Sequence, residues 1–306
     1  MPIDYQKEIR DKILKLKQEK NAVILAHNYV LGEVQDIADF CGDSLELSFK
    51  ARDVKADVIV FAGVQFMAET AKIIAPEKTV LHPVPECGCP MADMANSEDL
   101  RDFKKEHPGA VCVAYVNSTA DLKTEVDICC TSANAEKIVA SIPKDKEIIF
   151  LPDKNLGANV ANKLDREIIL WPGFCPTHMR IVTEMVQRKK EEYPEALVVV
   201  HPECTPEVVA LADQSLSTGG MLKFAKKTDA KQIIVGTEIG LIHRLQKENP
   251  EKMFIPISEQ AVCMNMKMLN LEDILESLEK MQHKVELDEE TIKKAKTPIM
   301  RMMKIT

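Results

Sequence analysis

The chain has 306 residues, 45% of them hydrophobic and 29% charged, with a net charge of −8 and a pI of about 5.5. That balance describes a globular protein with a large core and excludes nucleic acid or an anionic membrane as the main partner. No apolar run approaches the ~20 residues of a membrane helix. The opening residues 1–20 are charged and amphipathic rather than a secretory signal, so a cytoplasmic protein is expected.

Tyr5, Ile9, Ile13 and Leu16 recur at helical spacing among lysines and glutamates and predict an opening amphipathic helix. Strand-like runs follow at 22–26, 58–62 and 79–81, with helical stretches at 33–40, 44–53 and 66–74 between them. The same course repeats from 110 to 171 and from 196 to 257. Runs of Val and Ile without polar alternation fit strands buried on both faces, as in parallel sheets. After the third unit, Asn270 is a helix cap ahead of Leu271, Ile274, Leu275 and Leu278. Asp288 caps a last short helix that Pro298 is expected to stop. Met300, Met302 and Met303 make the tail adhesive.

The repetition holds position by position. The first strands end in His27-Asn28-Tyr29, Tyr115-Val116-Asn117 and His201-Pro202-Glu203, 88 and 86 residues apart. Asp39, Asp127 and Asp213 stand twelve residues after His27, Tyr115 and His201. Ser44, Ser132 and Thr218 come five residues later, where helices are expected to begin. Cys89, Cys175 and Cys263 follow the third strands, 86 and 88 residues apart. No flexible linker separates the units. The expected fold is α/β: three homologous α/β/α domains with small parallel sheets around a pseudo-threefold axis, at residues 1–85, 86–172 and 173–306, the last including the C-terminal helices.

In parallel α/β units, ligands bind at the C-terminal edge of the strands. Three such edges meeting would bring three thiols together. Pro90 and Pro176 suit a first helical position, and a cysteine just before a helix start is expected to favour thiolate. Zinc sites usually draw paired ligands from C-x-x-C, which this chain lacks. Single ligands from three distant segments fit a 4Fe–4S cluster with one open iron better. Cys87 competes for the first position, and the following proline favours Cys89. Cys41, Cys112, Cys129 and Cys130 read as buried small hydrophobes, and Cys204 is left open. Hydroxyls at helix starts bind carboxylate or phosphate, although each alone is more often a simple cap. His201 and Glu203, two residues apart, can share proton transfer. His82, His178 and His243 are left as structural or unassigned.

Taken together, Ala26-His27-Asn28-Tyr29, Gly42-Asp43-Ser44-Leu45, Cys89-Pro90-Met91-Ala92, Tyr115-Val116-Asn117-Ser118, Cys175-Pro176-Thr177-His178, His201-Pro202-Glu203-Cys204, Ser217-Thr218-Gly219-Gly220 and Cys263-Met264-Asn265-Met266-Lys267 resemble the quinolinate synthases over nearly the whole chain. The resemblance implies three α/β domains around a 4Fe–4S cluster on Cys89, Cys175 and Cys263. It also implies condensation of iminoaspartate with dihydroxyacetone phosphate to quinolinate, the precursor of NAD, with loss of phosphate and two waters. Tyr29, His201 and Glu203 match residues of the acid/base and isomerisation steps. His27, Ser44, Tyr115, Asn117, Ser132, His201, Glu203, Ser217 and Thr218 match the substrate-binding set. A transient contact with an iminoaspartate-producing enzyme is an expected partnership; oligomeric state is not set by the sequence. The C-terminal C-x-x-C of some members is absent. Other readings are a 4Fe–4S hydro-lyase on a small carboxylic acid, an iron–sulfur carrier or sensor, and a zinc enzyme.

Overall fold

Stretches such as Val58-Ile59-Val60-Phe61-Ala62 and Ile148-Ile149-Phe150-Leu151 are buried at every position, as strands covered on both faces must be. In the computed structural model, which describes residues 3–305, such runs form the centres of three four-stranded parallel sheets. The first holds β1 (Ala22–His27), β2 (Phe40–Gly42), β3 (Val58–Ala62) and β4 (Thr79–Leu81), in the order β2-β1-β3-β4. The second holds β5 (Val111–Tyr115), β6 (Ile128–Cys130), β7 (Ile148–Leu151) and β8 (Ile169–Leu170). The third holds β9 (Leu197–Val200), β10 (Gln214–Ser215), β11 (Gln232–Gly236) and β12 (Met253–Pro256). Their orders, β6-β5-β7-β8 and β10-β9-β11-β12, repeat the first. Among the described residues no helix is long and apolar enough to cross a membrane.

The repeat extends to single atoms. Asp39 Oδ2 accepts from Ile24 N at 2.7 Å, Asp127 Oδ2 from Cys112 N at 2.8 Å, and Asp213 Oδ2 from Val198 N at 2.7 Å. Each aspartate's own N–H returns a bond to the carbonyl of the same residue. A carboxylate thus pins each two- or three-residue edge strand (β2, β6, β10), which is too short for its ladder alone to hold.

Three expectations need correction. The helix expected at 33–40 spans Gly32–Ile37, and Phe40 opens β2. Ser132 precedes its helix (Ala135–Ser141) by three residues instead of starting it. The last helix runs Glu289–Met303, straight through Pro298. Proline costs about 3 kcal/mol inside a helix. Burial of Ile299, Met302 and Met303 offsets that, at roughly 1.5–3 kcal/mol for each large apolar side chain. This helix packs on β6 and on helices Gln65–Ile74 and Ala120–Lys123, and Asn134 Nδ2 donates to Ile305 O at 2.9 Å. The segment before it covers β4: Val285 N donates to Val80 O at 2.8 Å and His82 N to His283 O at 2.9 Å.

Candidate active site

The C-terminal ends of all three sheets open on one cavity, lined among others by Cys89, Cys175 and Cys263. Each cysteine stands just before a helical turn: Cys175 ahead of Pro176–Met179, Cys263 ahead of Met264–Met268, and Cys89 ahead of the turn Ala92–Met94. The helix starts do not make these thiols acidic, against expectation. Burial pushes Cys89 up to about 12, and Cys175 and Cys263 are raised as well, chiefly by burial. Desolvation outweighs the partial charge of a short helix. Thiolates therefore need a positive charge inside the cavity, and three soft donors converging from the ends of three sheets fit an iron–sulfur centre. Cys87 is buried outside the cavity lining, and its carbonyl accepts from Gln65 N at 2.7 Å. Cys204 belongs to the third unit's core, with its sulfur near Gly236 O.

Glu203 is the hub of the polar wall and is only 3% exposed. It accepts from Tyr115 OH at 2.5 Å and lies 2.7 Å from His178 Nδ1. Burial opposes its charge, but His178 and these hydrogen bonds hold the carboxyl well below its usual range. With Nδ1–H given to Glu203, His178 Nε2 is left to accept from Thr237 Oγ1, 2.9 Å away, and Thr237 lies 2.5 Å from Tyr29 OH. Tyr29, Thr237, His178 and Glu203 form one continuous chain. Burial, then the charge of Glu203, keeps Tyr29 a phenol well above its ordinary pKa. Cys175, His178 and Glu203 also place ligand-type atoms within 4.8 Å of one another. His178 Nδ1 lies 2.7 Å from Glu203 Oε2 and 3.2 Å from Cys175 Sγ, and these two contacts account for that proximity.

The two loop histidines share one geometry. Tyr29 N donates to His27 Nδ1 and Glu203 N donates to His201 Nδ1, both at 3.3 Å. Each ring therefore keeps its proton on Nε2. Burial pulls both down to about 3, so they serve as neutral donors. His178 stacks on His201 with centroids 4.7 Å apart. Ser44, Tyr115, Asn117, Ser132 and Thr218 line the same cavity, and Asn117 Oδ1 is buried without a partner among the described residues. Ser217 does not line it. Its hydroxyl donates to Asp43 Oδ2 at 3.2 Å and accepts from Gly220 N at 3.1 Å. Beneath Cys263, buried Glu238 accepts from Cys263 N at 3.1 Å and pairs with Lys267 at 2.9 Å. Lys267 also reaches Tyr29 O.

His178, left open by the sequence, thus belongs to the site, whereas His82 bonds Gly63 O and His243 bonds Asp36 at the surface. Thr237, Glu238 and Lys267 were missed. The spacing of three between Cys175 and His178, on one face of a turn, was the available signal for His178. The position of Thr237 and Glu238 after β11 was the signal for those two.

Three parallel α/β units that pool thiols, imidazoles and a buried carboxylate around one cavity define an α/β enzyme with a thiol-ringed centre. The family described as Quinolinate synthetase A protein matches residues 11–304. Quinolinate synthase of Dehalococcoides mccartyi (strain CBDB1) is 57% identical over 301 residues, covering 98% of this chain and 99% of that protein. Quinolinate synthase of Geotalea uraniireducens (strain Rf4) is 52% identical, covering 98% and 99%. Quinolinate synthase 2 of Methanosarcina acetivorans is 51% identical, covering 97% and 96%. The chain belongs to the quinolinate synthase family.

Proposed function

We propose that this enzyme condenses iminoaspartate with dihydroxyacetone phosphate to quinolinate, releasing phosphate and two waters, with a 4Fe–4S cluster on Cys89, Cys175 and Cys263. The observation that carries the reading is one cavity on which three thiols, one following the last strand of each sheet, meet neutral donors and an ionised Glu203. When bound, a cluster with one iron free of protein thiolate supplies a Lewis acid for a departing hydroxyl. Catalytic roles fall to Tyr29, His201 and Glu203.

The protein groups divide the remaining work. Substrates carrying carboxylates and a phosphate need donors rather than further acceptors. His27 and His201 offer Nε2–H, Ser44 and Thr218 offer hydroxyls at helix starts, and Ser132 offers one three residues ahead of its helix. Asn117 Oδ1 is a free acceptor for an imine or hydroxyl proton. Tyr29 can release a proton through Thr237 to His178 and take it back, because Glu203 stabilises the imidazolium that forms. Tyr115, bonded to Glu203, is held as a phenol facing the same space. Ser217 serves by orienting Asp43.

Iminoaspartate hydrolyses in water, so the reading includes a transient contact with the enzyme that supplies it, in the cytoplasm. It also divides the units near residues 85 and 172. Anaerobically purified protein is given both substrates, with iron and sulfide counted on the same sample. About four irons per chain and product lost on air exposure are expected. A full cluster without quinolinate would overturn the reaction and favour a hydro-lyase on a small carboxylic acid.

A further inference from the structure

Thr218 opens the ten-residue helix Thr218–Lys227, is 2% exposed and lines the cavity. A hydroxyl there serves an anion only if its proton points at the anion. A hydroxyl both donates and accepts, so its neighbours decide which way the proton goes. Ser217, one residue earlier, is set the wrong way, since its proton goes to Asp43.

Asn28 settles the matter for Thr218. It is fully buried, and its Nδ2 donates to Thr218 Oγ1 at 2.8 Å across the boundary between the first and third units. The carboxamide cannot be the other way round. Arg244 Nη1 lies 2.9 Å from Asn28 Oδ1, and a guanidinium has donors only, so the oxygen must face it. Cys41 Sγ sits on that oxygen as well, at 3.5 Å. Arg244 is itself held by Glu248 at 2.6 Å and by the Cys41 carbonyl. The chain of constraint runs from Glu248 through Arg244 and Asn28 to Thr218. Each link removes one orientation from the next.

We infer that Arg244 and Asn28 are positioning residues that fix the Thr218 hydroxyl as a donor into the cavity and so set the affinity of the anionic substrate group bound there. The inference rests on the reading that this cavity takes anionic substrates. It does not depend on which of the two substrates carries the group.

The test is binding of inorganic phosphate and of malonate, by calorimetry on anaerobically purified protein, alongside KM and kcat. Asn28→Asp keeps the size and the Arg244 contact but replaces a donor with an acceptor, which draws the Thr218 proton away from the cavity. Asn28→Leu removes the donor and adds no acceptor. Asn28→Asp is expected to weaken one of the two anions about tenfold or more and to raise KM more than it lowers kcat. Asn28→Leu is expected to do less. A purely structural role predicts the reverse order, because leucine loses both hydrogen bonds.

Beside Thr218→Val the difference between the two Asn28 variants is expected to vanish, as it does when two changes act through one group. A deficit in Asn28→Asp that persists in full beside Thr218→Val would mean simple charge repulsion and overturn the inference. So would wild-type affinity for both anions in Asn28→Asp. If Asn28→Asp does not fold, Arg244→Met, which frees the carboxamide to turn, takes its place with the same two criteria. Anion binding needs no turnover. Absence of quinolinate formation in the wild type would therefore refute the proposed reaction and leave this inference to its own result.

Discussion

Glu203→Gln tests the polar wall most directly. The carboxylate receives two short hydrogen bonds, 2.5 Å from Tyr115 and 2.7 Å from His178. A carboxamide of the same shape has one oxygen for two donors. Its NH2 must then face either the Tyr115 hydroxyl or the His178 ring. Hydrogen bonds to charged groups are worth about 1.5–3 kcal/mol each. Losing one and weakening the other amounts to about 3 kcal/mol. If His178 turns its proton to Nε2 to accept from the amide, it can no longer accept from Thr237, and the path from Tyr29 is reversed. The expected result is a fall in kcat of about two orders of magnitude with iron and sulfide content unchanged. Stability should fall as well, by no more than about 3 kcal/mol, because removing a buried charge also removes its desolvation cost. Anaerobic steady-state kinetics with an iron count on each sample decides. A variant retaining more than a tenth of wild-type kcat would refute the assignment of Glu203 as the charged hub.

Cys89→Ala, Cys175→Ala and Cys263→Ala are each expected to abolish cluster iron and sulfide, whereas Cys112→Ala, buried in β5, keeps both and loses roughly 1 kcal/mol of stability; a full cluster in Cys175→Ala would sink the ligand assignment. Gly219→Ala would place a Cβ 2.6 Å from Asp43 Oδ2, turning that carboxylate away from the Ser217 hydroxyl it accepts from, so KM should rise severalfold; wild-type kinetics would show that the approach is unimportant. His27 and His201 titrate near 3 when folded and near 6.5 when unfolded. The unfolded chain thus binds more protons in that window, and the stability they contribute is whole above pH 6.5 and is lost as pH falls below it, by up to about 2.7 kcal/mol per unit for the pair. Glu203, depressed when folded, adds a loss below about pH 4.5. Urea midpoints that coincide at pH 7 and pH 5 would contradict this. Deleting residues 282–305 uncovers the edge of β4 and should yield dimers or aggregates in size-exclusion chromatography; a well-behaved monomer would not fit that view of the edge.

Much of this was legible in the residues because buried parallel strands advertise themselves. Val58–Ala62 and Thr79–Leu81 were read to the residue, and the shared spacing of Cys89, Cys175 and Cys263 anticipated their common cavity. The edge strands were not legible. Gln214–Ser215 is two residues long, too short for any periodicity, and is held by Asp213 rather than by its own pattern. Pro298 misled because local propensity was outweighed by packing that only the assembled sheets provide. Within the site, residue type suggested donors and acceptors but not their directions. Ser217 and Thr218 look equivalent in sequence, and only the neighbouring Asp43 and Asn28 separate them.

The three aspartates that pin the edge strands carry a further consequence. Asp39, Asp127 and Asp213 each close a stitch of thirteen residues that begins at His27, Tyr115 or His201. Anchored at both ends, such a stitch can change its contents without disturbing the sheet behind it. The three have done so: one presents His and Tyr, one Tyr and Asn, one His and Glu. The architecture is in this sense a socket with three replaceable cassettes of equal length, and a different chemistry could be written into any one of them while the other two keep their form.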